Sequence, residues 1–370
     1  MSRRPRVLYV YRSPREARLR MYRQGRESDG QLYGLPHMAE FGIEAATSDE
    51  GFRRSLIYYC GLLLHYGWVR TGLGGLNMGQ ALQIGRQIRQ YDLVFATTDS
   101  VGLALAVLKR LARMRVPIVH ASIGLVERLA AHRDSLAFRI CGSLLDAAER
   151  IVCYTQLALD GLCSLMSQPR HKLDFVHFGV DSAFFSPCSD VADAGFILSV
   201  GIDLRRDWNL LLEVAGRIGG RFEVVCRPDA LRGRSVPSNV HVQCGIPIFA
   251  LRALYAQASA LVVTVQEESQ DSGQTVILEA MAMGKAVIAT RTAAFEGYSA
   301  IQDGKHCLLV PAGDAATLES AVRRLRRDSE LRHYLGTNAR QVVEEHYNSR
   351  AYASQLARVF HTVGDRASQL

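Results

Sequence analysis

Short runs of apolar and β-branched residues recur along the chain, separated by blocks with the period of an amphipathic helix. The first run, Val7-Leu-Tyr-Val-Tyr11, predicts a strand, and further strands are expected at residues 93–97, 117–122, 150–154 and 174–177. The second half repeats the pattern at 195–201, 222–226, 240–243, 261–265 and 286–289. Strands alternating with helices build doubly wound parallel sheets, which bind ligands at the carboxyl ends of their strands. A chain of 370 residues is too long for one such core, so two domains are expected. The polar stretch 187–194 reads as their linker, which gives domains 1–185 and 186–349.

Two segments depart from the alternation. Residues 12–30 form a long arginine-rich stretch with few core residues, read here as a loop; loops of this length are usually functional or disordered. Ser55-Leu-Ile-Tyr-Tyr-Cys-Gly-Leu-Leu-Leu-His-Tyr-Gly-Trp68 is the most hydrophobic segment of the first half. It is too short to span a bilayer. Its aromatics and the flanking Arg53, Arg54 and Arg70 suit contact with an anionic membrane surface, and a buried helix is the alternative.

Composition narrows the class. Apolar content of 48% and charge of 22% are those of a soluble globular protein, and no cleavable leader or membrane span is visible. The eight cysteines show no metal spacing, and most lie in apolar runs, as in a reduced, cytoplasmic protein. Residues 1–180 carry 24 Lys and Arg against 15 Asp and Glu, so the whole net charge of +8 belongs to the first half. Such a surplus suits an anionic membrane or substrate. Nucleic acid is not expected, because no zinc pattern, aromatic RNA-binding strand or repeat accompanies it. Gly72-Leu-Gly-Gly-Leu-Asn-Met-Gly79 has the wrong spacing and context for a dinucleotide fingerprint.

The stretch 260–313 asks for chemistry. A strand, a polar loop, a helix at 275–283 and a second strand follow one another. Glu279 is the only charge in the block Thr275-Val-Ile-Leu-Glu-Ala-Met-Ala-Met283, and an unpaired buried carboxylate is costly, so it needs a partner in the protein or a ligand. Gly273, at the helix mouth, lets backbones approach closely, and the free N–H groups of a first turn form an anion site. A phosphate there leaves Glu279 about 6 Å further along the axis, roughly the step from a diphosphate to its ribose diol.

Asp271 and Glu279 enclose seven residues, and this spacing resembles the acidic-x7-Glu signature of retaining GT-B glycosyltransferases of family 4, the glycosyltransferase group 1 type. The tail Glu279-Ala-Met-Ala-Met-Gly-Lys-Ala-Val-Ile-Ala289, the pair Asp303-Gly304 and the stretch 308–314 are similar to that family as well. Phe178-Gly-Val-Asp-Ser-Ala-Phe-Phe185 resembles the segment that closes its first domain, and the resemblance implies that a C-terminal helix at about 350–370 packs back onto that domain. The resemblance implies two Rossmann-like, doubly wound α/β domains facing a cleft, and sugar transfer from a nucleotide-sugar donor with retention of anomeric configuration. Asp271 would then hold sugar hydroxyls and Glu279 the ribose, beside Ser272, Gly273, Gln274 and Thr275. The chain departs from the family where Ile202 stands for the usual arginine, so Arg206 or Arg205 must supply the cation for the diphosphate. Arg227 and Ile246, at strand ends, would adjoin the nucleobase.

In the first domain the resemblance is looser. Gly30 belongs to the loop that faces donor and acceptor in the family. Ile123 stands where a histidine is usual, which leaves His120, Ser122 and Glu127 as candidate acceptor-side residues; a structural histidine is the other reading of His120. No metal ligand set and no cofactor beyond the nucleotide sugar are expected. The acceptor would be a saccharide, a lipid-linked or another small molecule, met in the cytoplasm or at the inner face of the membrane. Another GT-B activity, epimerase or phosphorylase, and a non-catalytic nucleotide-sugar-binding protein stay open.

Overall fold

The computed structural model describes residues 3–48, 56–72, 74–188, 190–203, 205–266 and 272–367. Two compact units result, one of Met1–His177 with Tyr352–Leu370 and the other of Phe178–Ala351.

In the first unit β1 (Arg6–Val10), β2 (Glu44–Thr47), β3 (Leu93–Ala96), β4 (Ile118–Ser122), β5 (Arg150–Cys153) and β6 (Leu173–Phe175) form one parallel sheet in the order β2-β1-β3-β4-β5-β6. β3 and β4 are buried at every position, as strands covered by helices on both faces must be, and their near-continuous apolar runs made them legible. β2 was not expected. It is an edge strand of sequence Glu-Ala-Ala-Thr, held by its backbone register on β1, from Arg6↔Glu44 to Tyr9↔Thr47, with little apolar side chain to announce it.

The stretch 12–30 is not all loop, because Glu16–Arg23 is a helix that buries Leu19. Its Glu, Ala, Arg, Leu and Met are good helix formers, so local propensity succeeds where apolar periodicity gives no signal. Residues of the last helix, Ser349–Ala367, complete this core. Phe360 packs edge-on against Tyr9 and Phe95, and the Tyr352 hydroxyl lies 2.8 Å from that of Tyr154.

In the second unit β7 (Ile197–Gly201), β8 (Phe222–Cys226), β9 (Val240–Cys244), β10 (Ala260–Val263), β11 (Ala286–Thr290) and β12 (Leu308–Val310) form a parallel sheet in the order β12-β11-β10-β7-β8-β9. Successive side chains feed opposite cores. Leu198, Val200, Leu261, Val263 and Val287 pack on one face, and Ile197, Ala260, Val262, Ala286 and Ile288 on the other. The first core also takes in Val180 and Phe185, which moves the boundary between units to His177 and Phe178, upstream of the expected residue 185.

The most hydrophobic segment of the first half is a helix, Leu56–Val69, but it is not buried. Leu56 is 80% exposed, Leu63 75% and Tyr66 59%, while Gly61 lies against Gly79 of the helix Met78–Ile88. Arg53, Arg54 and Ser55 lie outside the described residues. Among the described residues no helix is long and apolar enough to cross a membrane. The cysteines divide: Cys141, Cys153, Cys226 and Cys307 are buried, whereas Cys60 and Cys244 are exposed.

Candidate functional site

In the second sheet the strand order reverses beside β7. The chain runs outward through β8 and β9, then returns to the other side of β7 with β10. Such switch points are where open α/β sheets bind ligands. The segments that leave β7 and β10 here run against each other. Gln266 N–H donates to Arg205 O (2.9 Å), Asp207 N–H donates to Thr264 O (3.0 Å), and Arg206 pairs with Val265 in an antiparallel bridge. Asp207 then caps the helix Trp208–Ile218, accepting from Leu210 N–H at 3.0 Å, a cap worth about 1 kcal/mol. These bonds at both ends fix where Arg206 lies.

Arg206 is only 4% exposed. Its Nη2 donates to Val200 O (2.7 Å), and its Nε lies 3.2 Å from an Asp203 carboxylate oxygen. Nη1 has no partner among the described residues. Burial pulls its pKa down, against Asp203 and Tyr255, which raise it. Two glycines make room for the side chain, since a Cβ on Gly201 would collide with its Nε and one on Gly273 would lie 2.7 Å from Nη1. Gly273 also has φ +81°, a left-handed conformation that other residues rarely adopt.

Gly273 precedes the helix Gln274–Ala282, and among the described residues no side chain caps its first turn. Its N–H groups and the Nη1 edge of the Arg206 guanidinium therefore share one place. A buried cation with an unused donor, beside an uncapped helix start, is an arrangement that an anion completes. Asp203 closes one side of it, accepting from Ser272 Oγ (2.7 Å) and from Arg205 N–H (3.0 Å). Gln274 is buried, with its Oε1 3.5 Å from the Tyr298 hydroxyl and its Nε2 without a partner among the described residues. Thr275 is exposed at the same helix end.

Glu279 lies on that helix among Ile277, Leu278, Ala280 and Met281, all buried. The residue keeps some exposed surface, but its carboxyl end lies deep. Burial raises its pKa to about 7, although the Tyr255 hydroxyl donates to Oε2 at 3.0 Å and works the other way. The partner that the sequence demands is thus Tyr255, from the helix Ile248–Gln257.

The second unit therefore gathers Arg205, Arg206, Ser272, Gly273, Gln274, Thr275 and Glu279 around the ends of β7 and β10. Asp271 lies outside the described residues. Arg227 is at the end of β8, as expected, but is paired with Asp229 at 2.5 Å, and Ile246 packs partly buried against the core. Asp203 and Tyr255 were missed. Tyr255 meets Glu279 across 24 residues of sequence, a distance at which no local pattern operates.

The acceptor-side candidates lie in the first unit. His120 sits in the middle of β4, 1% exposed, with Nε2 3.0 Å from Asp99 Oδ1. A Cβ on Gly102 would press into its ring. Every position of β4 is buried, and His120 packs against the helix Asp99–Leu111 that carries Gly102. Asp99 Oδ2 also accepts from Ile123 N–H (3.1 Å) and Arg128 Nη2 (2.8 Å). Ser122, at the strand end, is buried with no partner for its Oγ among the described residues, while Glu127 and Gly30 are partly buried.

Comparison with known proteins bears on this arrangement. Residues 204–328 match the family model of glycosyl transferases group 1. A phosphatidyl-myo-inositol mannosyltransferase of Mycobacterium leprae (strain TN) is 36% identical over 116 residues, 31% of this chain and 30% of that relative. The aligned stretch thus spans less than a third of the relative's length. Among solved structures, HepE of Anabaena in complex with UDP-glucose superposes with a TM-score of 0.69 at 14% identity, over 97% of this chain and all of that one. Sucrose-phosphate synthase from Thermosynechococcus elongatus gives 0.72 at 16% identity, over 98% of this chain and 100% of its own. At such identities the structural likeness establishes the fold, which is the two-domain, Rossmann-like α/β architecture of the GT-B type.

Proposed function

We propose that this chain, whose second unit carries a glycosyl transferases group 1 domain, transfers a sugar from a nucleotide-sugar donor to an acceptor with retention at the anomeric carbon. The observation that carries the reading is the buried Arg206, whose Nη1 lies against Gly273 with no partner among the described residues, at the start of the helix that bears Glu279. A nucleoside diphosphate fits this set: its phosphates meet Arg206 and the first-turn amides, and its ribose reaches Glu279.

In the reaction the bond from the sugar C1 to the diphosphate oxygen breaks, the acceptor hydroxyl oxygen bonds to the same face of C1, and its proton passes to the departing phosphate. Negative charge grows on the leaving phosphate oxygen, where the Arg206 guanidinium and the helix amides stabilise it most as the transition state is reached. Arg205 adds positive charge nearby, and Asp271, two residues before Gly273 in the sequence, is assigned to the sugar hydroxyls. Protein donors thus do the electrostatic work, and no cofactor beyond the donor is invoked. Incubation with nucleotide sugars in excess chelator, with the product anomer read by NMR, tests this. Undiminished transfer with retention supports the reading; an inverted product removes the retaining assignment.

The acceptor is proposed to be lipid-linked and met at an anionic membrane surface on the cytoplasmic side. The support is the helix Leu56–Val69, which has no charged residue and exposes Leu56, Tyr59, Leu63, Leu64, Tyr66 and Val69 in a unit with surplus positive charge. Contiguous apolar surface rimmed by basic residues marks an interaction site. The partial relative's name, a phosphatidyl-inositol mannosyltransferase, agrees with such an acceptor.

A further inference from the structure

Glu279 is asked to accept hydrogen bonds from a ligand in a place that disfavours its charge, and Tyr255 is the group that answers the conflict. Tyr255 is 0% exposed, and its ring packs edge-on to Phe185, with centroids 5.9 Å apart and planes at 89°. The ring has no room to swing, so the hydroxyl is a fixed donor 3.0 Å from Glu279 Oε2. An ionised carboxylate only accepts, so the phenol must donate to it. Among the described residues that leaves both lone pairs of Oε1, and the second of Oε2, for hydroxyl groups of a ligand.

We infer that Tyr255 is a positioning residue for donor binding, which holds Glu279 oriented and ionised so that its carboxylate can take the vicinal diol of a ribose. This rests on the donor reading above. Without the phenol hydroxyl, burial keeps a proton on Glu279 to higher pH, and one oxygen becomes a donor that a diol does not need.

Among the described residues Tyr255 is the side chain that acts on this balance. The strands beside the helix, β10 and β11, contribute no titratable side chain. From the helix Ser329–His346, Arg340 reaches the helix only at Ala282 O (2.6 Å) and forms an ion pair with Glu344. Arg206 faces Gly273 and acts on the Tyr255 phenol, whose pKa burial and the Glu279 charge push well above its ordinary value. Tyr255 therefore stays a donor throughout the range in which Glu279 titrates.

The test is calorimetric titration of the full chain with UDP, GDP and ADP and their 2′-deoxy counterparts from pH 6 to 9, for wild type, Tyr255→Phe and Glu279→Gln. Wild-type affinity should rise with pH through about 7, and the ribonucleotide should bind about tenfold more tightly than the deoxy form. In Tyr255→Phe the midpoint should move up by about one pH unit, with affinity about five- to tenfold lower at pH 7 and restored by pH 9. Glu279→Gln should bind with no such pH dependence. A 3-fluorotyrosine at 255, of nearly the same shape and a stronger donor, should move the midpoint down. Equal weakening of Tyr255→Phe at every pH, or an unmoved midpoint, would overturn the inference while leaving the donor site standing. Absence of binding by wild type at any pH would overturn the donor reading and this inference with it.

Discussion

The Arg206 guanidinium lies against Gly273, with Nη1 2.7 Å from the point a Cβ on that glycine would occupy. The contact joins the end of β7 to the start of the helix that carries Glu279, so the proposed diphosphate and ribose contacts are set by one packing event. A methyl group on Gly273 meets both Arg206 and Val263 (2.7 Å to Cγ1) and must sit at φ +81°. Gly273→Ala is expected to lower stability by about 1–3 kcal/mol and to weaken nucleotide binding at least tenfold, read by thermal melts and calorimetry.

Arg206 is kept at a cost. Its buried charge has one partly exposed carboxylate for a partner, and two of its nitrogens make no hydrogen bond among the described residues. Replacement of such a group by an apolar side chain of similar length is often neutral or stabilising. Arg206→Met should therefore melt no lower than wild type. Binding of nucleoside diphosphates should weaken about 10- to 100-fold, from loss of a charge-assisted contact worth about 1.5–3 kcal/mol. A variant that melts much lower would show that the guanidinium serves the fold and not a ligand.

Glu279 makes a signed prediction about pH. Its carboxyl titrates at about 7 in the folded chain, against an ordinary 4.5. Below about pH 4.5 the carboxyl is protonated in both states and costs nothing. As pH rises from there to 7 the unfolded chain releases the proton first, so folded stability falls, and above 7 the full cost is present. Glu279→Gln removes that term. It should match wild type near pH 4.5 and exceed it at pH 8 by up to about 3 kcal/mol, as read by denaturant titration at the two values.

The exposed helix Leu56–Val69 gives a test independent of the donor site. A triple Leu56→Ser, Leu63→Ser, Tyr66→Ser variant alters side chains at least half exposed, so its melting temperature should stay within a few degrees of wild type. Its sedimentation with phosphatidylglycerol vesicles at low salt should be lost. Wild type that fails to sediment would remove the main support for a membrane-borne acceptor.

What could be read from the chain follows from where the information lies. β3, β4, β7 and β10 bury both faces, so their apolar runs are local and the strands were found within a residue or two. Glu279 was conspicuous because a charge in an apolar block needs a reason. Arg206 was reached from its position after β7, yet the room for its side chain depends on glycines 5 residues before it and 67 after. Asp203 and Tyr255 act through contacts distant in sequence, and His120 and Asp99 pair only once β4 has its neighbours. The helix Glu16–Arg23 was missed because it has no apolar periodicity, and Leu56–Val69 kept two readings because apolar pattern alone does not say which side of a helix meets protein.

The central claim is that the second unit binds a nucleotide sugar through Arg206 and Glu279. The most direct measurement is thermal stabilisation of wild type, Arg206→Met and Glu279→Ala by UDP-, GDP-, ADP- and dTDP-sugars. Ligand at about 100 times its Kd should stabilise the native state by about 2.7 kcal/mol. One nucleotide class should raise the wild-type Tm by several degrees, and neither variant should respond. A shift shared by the variants would put the donor elsewhere, and no shift with any of the four would contradict the claim.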